Sequence, residues 1–77
     1  MSIEQFTKDL ETEFEEVEPG TINPDTVFKS IKGWSSMHAL IIIAFVDSNC
    51  DVLLTGADIK SAQTIRDLYS IVTEKQK

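Results

Sequence analysis

The sequence predicts an all-α domain, a four-helix bundle with a long first loop and a short third helix. Two observations carry that prediction. Apolar residues recur at spacings of three and four in separate segments, and the one run that would suit a strand has no partner strand elsewhere in the chain. With 77 residues the chain reads as a single domain spanning 1–77. Folding at this size buries roughly 60% of the unfolded surface and leaves a net stability of about 4 to 12 kcal/mol. A large catalytic cavity walled off by the chain's own mass is not expected.

The first helix rests on Ile3, Phe6, Leu10, Phe14 and Val17, which fall on one helical face. Ser2 followed by Gln5 reads as a capping box at its start, and Pro19-Gly20 stops it. The connection that follows offers Val27, Phe28, Ile31 and Trp34 as anchors onto the core. A loop this long in so small a domain is usually functional or packed by its own side chains. The second helix is predicted over Ser36 to Cys50. Leu40 to Ile43 with Phe45-Val46 would also suit a buried strand, but Ala39, Ile42, Ile43, Val46 and Cys50 form a helical stripe, and Ser35 or Ser36 can cap it. In the third segment Thr55 and Asp58 form a capping-box-like start, with Ile59 and Ala62 as apolar contacts for one or two turns. The fourth helix runs from about Thr64 to Thr73 on Ile65, Leu68, Tyr69 and Val72, and the polar tail Glu74 to Lys77 is expected to fray.

Charge narrows the function classes. Thirteen acidic and seven basic residues give a net charge of -6, and no Lys/Arg cluster exists to displace counterions from a phosphate backbone. Nucleic acid is not an expected partner. The longest apolar run, Ala39 to Val46, has eight residues, so no membrane span is expected. Cys50 stands alone and cannot close an internal disulfide; Met1 to Phe14 mixes charged and apolar residues, unlike a signal or transit peptide, and a cytoplasmic location is the default. The acidity is uneven. Met1 to Phe28 carries eight carboxylates against Lys8 alone, about -7 by formal count, a pattern that suits either a solvated face or a recognition surface.

Chemistry-bearing residues are few. There is one histidine, one cysteine, no Gly-rich phosphate loop and no paired metal-ligand spacing. His38 follows a serine pair, but a nucleophilic serine needs a third group to orient its base, and none is evident. His38 is therefore expected as a partly exposed helix residue, and Cys50 as a small hydrophobe on the core stripe. Asp47 and Asp51 lack the oxygen-rich loop of a calcium site. Neither self-contained catalysis nor a metal is expected. What remains is Gly33-Trp34-Ser35-Ser36-Met37, a serine pair at the mouth of an apolar helix. A phosphate placed there would be stabilised by backbone N–H groups and the helix dipole; plain N-capping is the simpler role for the same serines.

The whole chain resembles the acyl carrier protein family. The residues that carry the resemblance are Ser36-Met37 opening the second helix, the stripe Ala39, Ile42, Ile43 and Val46 after it, Ile59 in the short third helix, and Thr64-Ile65 with Asp67-Leu68 in the last. The resemblance implies an acyl-carrier-like bundle in which Ser36 accepts 4′-phosphopantetheine from coenzyme A, delivered by a phosphopantetheinyl transferase. The arm's thiol would then carry acyl groups as thioesters between acyl-loading and condensing enzymes of fatty-acid, polyketide-like or other secondary acyl biosynthesis. An aminoacyl or peptidyl carrier is the nearest rival, and a non-carrier helical adaptor is the rival from another class.

Two departures from the family pattern stand out. Family members usually carry an acidic residue directly before the modified serine; here that residue is Ser35, which makes it the second choice of attachment site. In many carriers the outer face of the second helix is acidic, whereas this one holds only Asp47 between Ser36 and Cys50. Met37, Leu40, Ile41 and Ala44 are expected to point outward, as a partner-docking face or as additional core, in a chain expected to be a monomer.

Overall fold

The computed structural model describes residues 2–15 and 17–77. Its order is α1 (Ile3–Glu11), a single 3-10 turn (Phe28–Ser30), α2 (Ser36–Cys50), α3 (Gly56–Ser61) and α4 (Ile65–Lys75). Among the described residues the fold is all-α with four helices, a long first connection and a short third helix, and no helix is long and apolar enough to cross a membrane. The molecule measures 32 × 24 × 20 Å with a radius of gyration of 11.2 Å.

Helix α1 is shorter than its apolar pattern. Ser2 Oγ accepts the Gln5 N–H at 3.1 Å, but the Gln5 side chain turns to Asp9 Oδ1 at 2.7 Å, so only half of the capping box forms. The helix ends at Glu11 rather than near Val17. Beyond it Glu13, Phe14 and Val17 donate their N–H groups three residues back, to Leu10, Glu11 and Phe14, at 3.0 to 3.1 Å. These tight turns keep Phe14 buried and Val17 packed against the core without continuing the helix, which is why the apolar spacing overran it. The Glu11 carboxylate is buried and pins the loop: Oε1 accepts the Gly20 N–H at 2.8 Å and Oε2 the Ile22 N–H at 3.0 Å. Gly20, at φ 86°, takes the left-handed conformation this return requires.

The loop is anchored by Ile22 and Phe28, both buried, with Ile31 and Trp34 half-buried against the core. Val27 is not a side-chain anchor, being 45% exposed. Its contribution is backbone: an isolated antiparallel bridge joins it to Thr64, and Phe28, Ile65 and Arg66 add N–H bonds to the carbonyls of Gln63, Thr26 and Pro24. The start of α4 thereby holds the middle of the loop.

Helix α2 has the predicted bounds, but its inner face is turned slightly from the expected stripe. His38, Ile42, Phe45 and Val46 are buried, while Ala39, Ile43 and Cys50 are half-buried at the edges. Phe45 enters the core because it meets Phe6 edge-on at 5.7 Å between ring centroids. The helix ends where Asp51 adopts φ 55°. Helix α3 starts with the expected capping box, Thr55 Oγ1 accepting from Asp58 N–H at 3.1 Å and Asp58 Oδ2 from Thr55 N–H at 2.9 Å. An equivalent box between Thr64 and Asp67 opens α4. The tail expected to fray is tied in: α4 continues to Lys75, whose Nζ lies 3.1 Å from Asp58 Oδ2, and Gln76 Nε2 donates to the Cys50 carbonyl at 3.2 Å. Phe6, Leu10, Ile42, Leu54, Ile65, Leu68 and Val72 form the centre of the core.

Candidate functional site

The start of α2 is assembled from the end of the loop and from the turns after α1. Trp34 N–H donates to the Ile31 carbonyl at 3.0 Å, and Gly33 at φ 81° lets the chain leave that turn in a direction a side-chain-bearing residue would resist. Ser35 then caps the helix in an extended conformation, φ -148°, and Ser36 occupies the first helical position. Among the first-turn N–H groups, that of His38 donates to the Ser35 carbonyl at 3.0 Å, while those of Ser36 and Met37 lie ahead of the i to i−4 ladder, as in any α-helix start.

His38 is not the partly exposed residue expected from sequence; it is 8% exposed. Its ring sits between Phe14 and Trp34, 5.4 Å from each centroid, and Trp34 in turn meets Phe28 edge-on at 5.5 Å. His38 Nδ1 accepts the Ser35 backbone N–H at 3.2 Å and lies 3.2 Å from Ser35 Oγ. The imidazole thus fills the part that Glu or Gln plays in an ordinary capping box. The two serines are separated by this arrangement: both are exposed, Ser35 Oγ is engaged by His38, and Ser36 Oγ makes no hydrogen bond among the described residues. The sequence contained the pair but not the distinction, because Phe14 and Trp34 are brought around His38 only by the fold.

Three of the four expected docking residues are exposed. Met37 and Leu40 are each 66% exposed and Ala44 is exposed, one stripe at i, i+3 and i+7. Ile41 differs from the expectation: it is half-buried, packed against the core. Glu13 and Glu15 join Met37, His38 and Ile41 around a hollow of about 300 Å³. The acidity that the sequence places before α2 therefore borders its apolar face, a juxtaposition that spacing along the chain did not reveal.

A larger groove of about 480 Å³ lies within the first loop, its lining falling between Val17 and Lys32, with Ile22 and Ile31 among its walls. No group of three or more His, Cys, Asp or Glu among the described residues could hold a metal ion. Burial pushes the Cys50 thiol above its ordinary value, which disfavours a reactive thiolate. No family model, no curated protein and no solved structure matches this chain, so its likeness to acyl carriers rests on the residues named above.

Proposed function

We propose that this chain is an acyl carrier, modified on Ser36 with 4′-phosphopantetheine and acted on by partner enzymes. The observation that supports it most is the open Ser36 hydroxyl at the first position of α2, beside a Ser35 hydroxyl already engaged by His38. A phosphodiester on Ser36 stands where the helix dipole favours an anion, a stabilisation of about 0.3 to 1 kcal/mol. The residues around the site supply position and no reaction chemistry. The carrier holds a flexible arm at one end of a rigid helix and raises the effective concentration of its thioester for a docked enzyme. Met37, Leu40 and Ala44, with the edge of Ile41, form the docking face for the transferase and for loading and condensing enzymes. Acyl cargo is preferred over aminoacyl or peptidyl cargo on the strength of the acidic charge.

The exposure of Met37 and Leu40 also favours a second reading, a helical adaptor that binds another protein through this face while the serines only cap α2. Incubation with coenzyme A and a broad-specificity phosphopantetheinyl transferase, followed by intact mass measurement, separates the two. The carrier gains one phosphopantetheine, the gain disappears in Ser36→Ala and persists in Ser35→Ala. An unchanged mass in folded wild-type protein overturns the carrier reading under that transferase.

A further inference from the structure

We propose that the groove within the first loop is the resting site of the cargo and that it takes a hydroxylated acyl chain. This rests on the carrier reading and narrows it to a substrate class. The groove's volume of about 480 Å³ lies within the range of small-molecule sites, roughly 300 to 1,000 Å³. Ile22 and Ile31 give it apolar wall, and the hydroxyl-bearing residues Thr21, Thr26 and Ser30 also line it. Their bonding leaves complementary capacity. Thr26 Oγ1 accepts the Asn23 N–H at 2.8 Å and keeps its own proton to donate; Ser30 Oγ donates to the Val27 carbonyl at 2.6 Å and keeps lone pairs to accept. A chain hydroxyl, both donor and acceptor, matches such a lining; a fully reduced chain offers it no hydrogen-bond partner. Glu18 and Lys32, of opposite charge, also line the groove.

The groove is within reach of the arm. The turn joining Ile31 to Trp34 holds their Cα atoms within about 7 Å. Two further residues to Ser36 add at most about 7 Å. A phosphopantetheine arm has some fourteen bonds between the serine oxygen and the sulfur, the length of four to five extended residues or about 16 Å. A chain lodged between α2 and α4 would instead have to displace Ile42 and Leu68, both fully buried. The groove receives it without opening the core.

The test loads the protein from octanoyl-coenzyme A and from 3-hydroxyoctanoyl-coenzyme A with the same transferase, and compares amide NMR shifts with those of the form carrying the unacylated arm. The 3-hydroxyoctanoyl form is expected to shift Thr21, Ile22, Thr26 and Ile31. Its thioester should resist hydroxylamine about fivefold better than the octanoyl one, the effect of one net hydrogen bond. Thr21→Trp, which fills the groove from an exposed position, should erase both the shifts and the difference. Shifts centred on Ile42 and Leu68, or equal protection of the two chains, overturn this inference and leave the carrier reading standing. Failure of wild-type protein to accept either arm overturns the carrier reading itself, and this inference with it.

Discussion

Burying an imidazole in the first turn of a helix is unfavourable unless its nitrogens find partners, and His38 Nδ1 finds the Ser35 N–H and hydroxyl, each at 3.2 Å. The contact orders the cap and engages one of two adjacent hydroxyls. His38→Ala removes the cap partner and the ring contacts with Phe14 and Trp34 together. The expected loss is about 2 kcal/mol in urea denaturation, with part recovered in His38→Gln, whose amide oxygen can still accept from the Ser35 N–H. A change within experimental error in His38→Ala would contradict the capping role. Sequence reasoning placed Ser36 at the helix start and found Ser35 as the alternative, but it treated His38 as a partly exposed helix residue. A single polar residue in a first turn carries no mark of burial; the mark is Phe14, a residue of another segment. Glu11 was similarly illegible as a loop anchor, because one carboxylate among eight in the first 28 residues looks like any other.

Helices α1, α3 and α4 start on side-chain caps, from Ser2, Thr55 and Thr64. Asp67 is held below the usual aspartate range chiefly by the N–H groups of Gln63 and Thr64, and Asp58 by the Thr55 N–H followed by Lys75. Both carboxylates are more acidic in the folded state than in the unfolded chain. Their contribution is therefore complete above the unfolded value and is lost as pH falls through the lowered folded one. Asp67→Asn and Asp58→Asn should each flatten the acid side of the stability curve while changing little of its shape near neutrality; an acid limb with unchanged slope in both would contradict the assignment. Thr64→Ala, which removes the other half of the α4 box, should lower stability by about 1 kcal/mol. At this scale the sequence was informative. Thr55 with Asp58 marked the start of α3, and the same spacing in Thr64 and Asp67 was available at α4. Periodicity located α2 correctly, yet it extended α1 through Phe14 and Val17, since residues in successive 3-10-like turns can keep an apolar face inward after the helix itself has stopped.

Across the whole molecule the packed core and the outward stripe on α2 are separate surfaces. Phe6, Leu10, Ile42 and Leu68 are inside, whereas Met37 and Leu40 contribute little to the core. Leu40→Glu should therefore leave helicity intact and stability within about 0.5 kcal/mol, while slowing loading by an enzyme that docks on this face. Unfolding of that variant would make Leu40 a core residue and remove the docking account. The formal charge of -6 also acquires a location: Glu13 and Glu15 lie beside Met37 and Ile41, so acidity and the apolar stripe form one border rather than two distant features. Chain order alone separated them, because the turns after α1 that join them are tertiary. Ser36 Oγ is the one atom that the arm should occupy, and peptide mapping of transferase-treated wild-type protein locates it without any substitution. Trypsin releases Gly33 to Lys60 as one peptide, and fragment ions should place the phosphopantetheine on Ser36. Its placement on Ser35 would contradict the account.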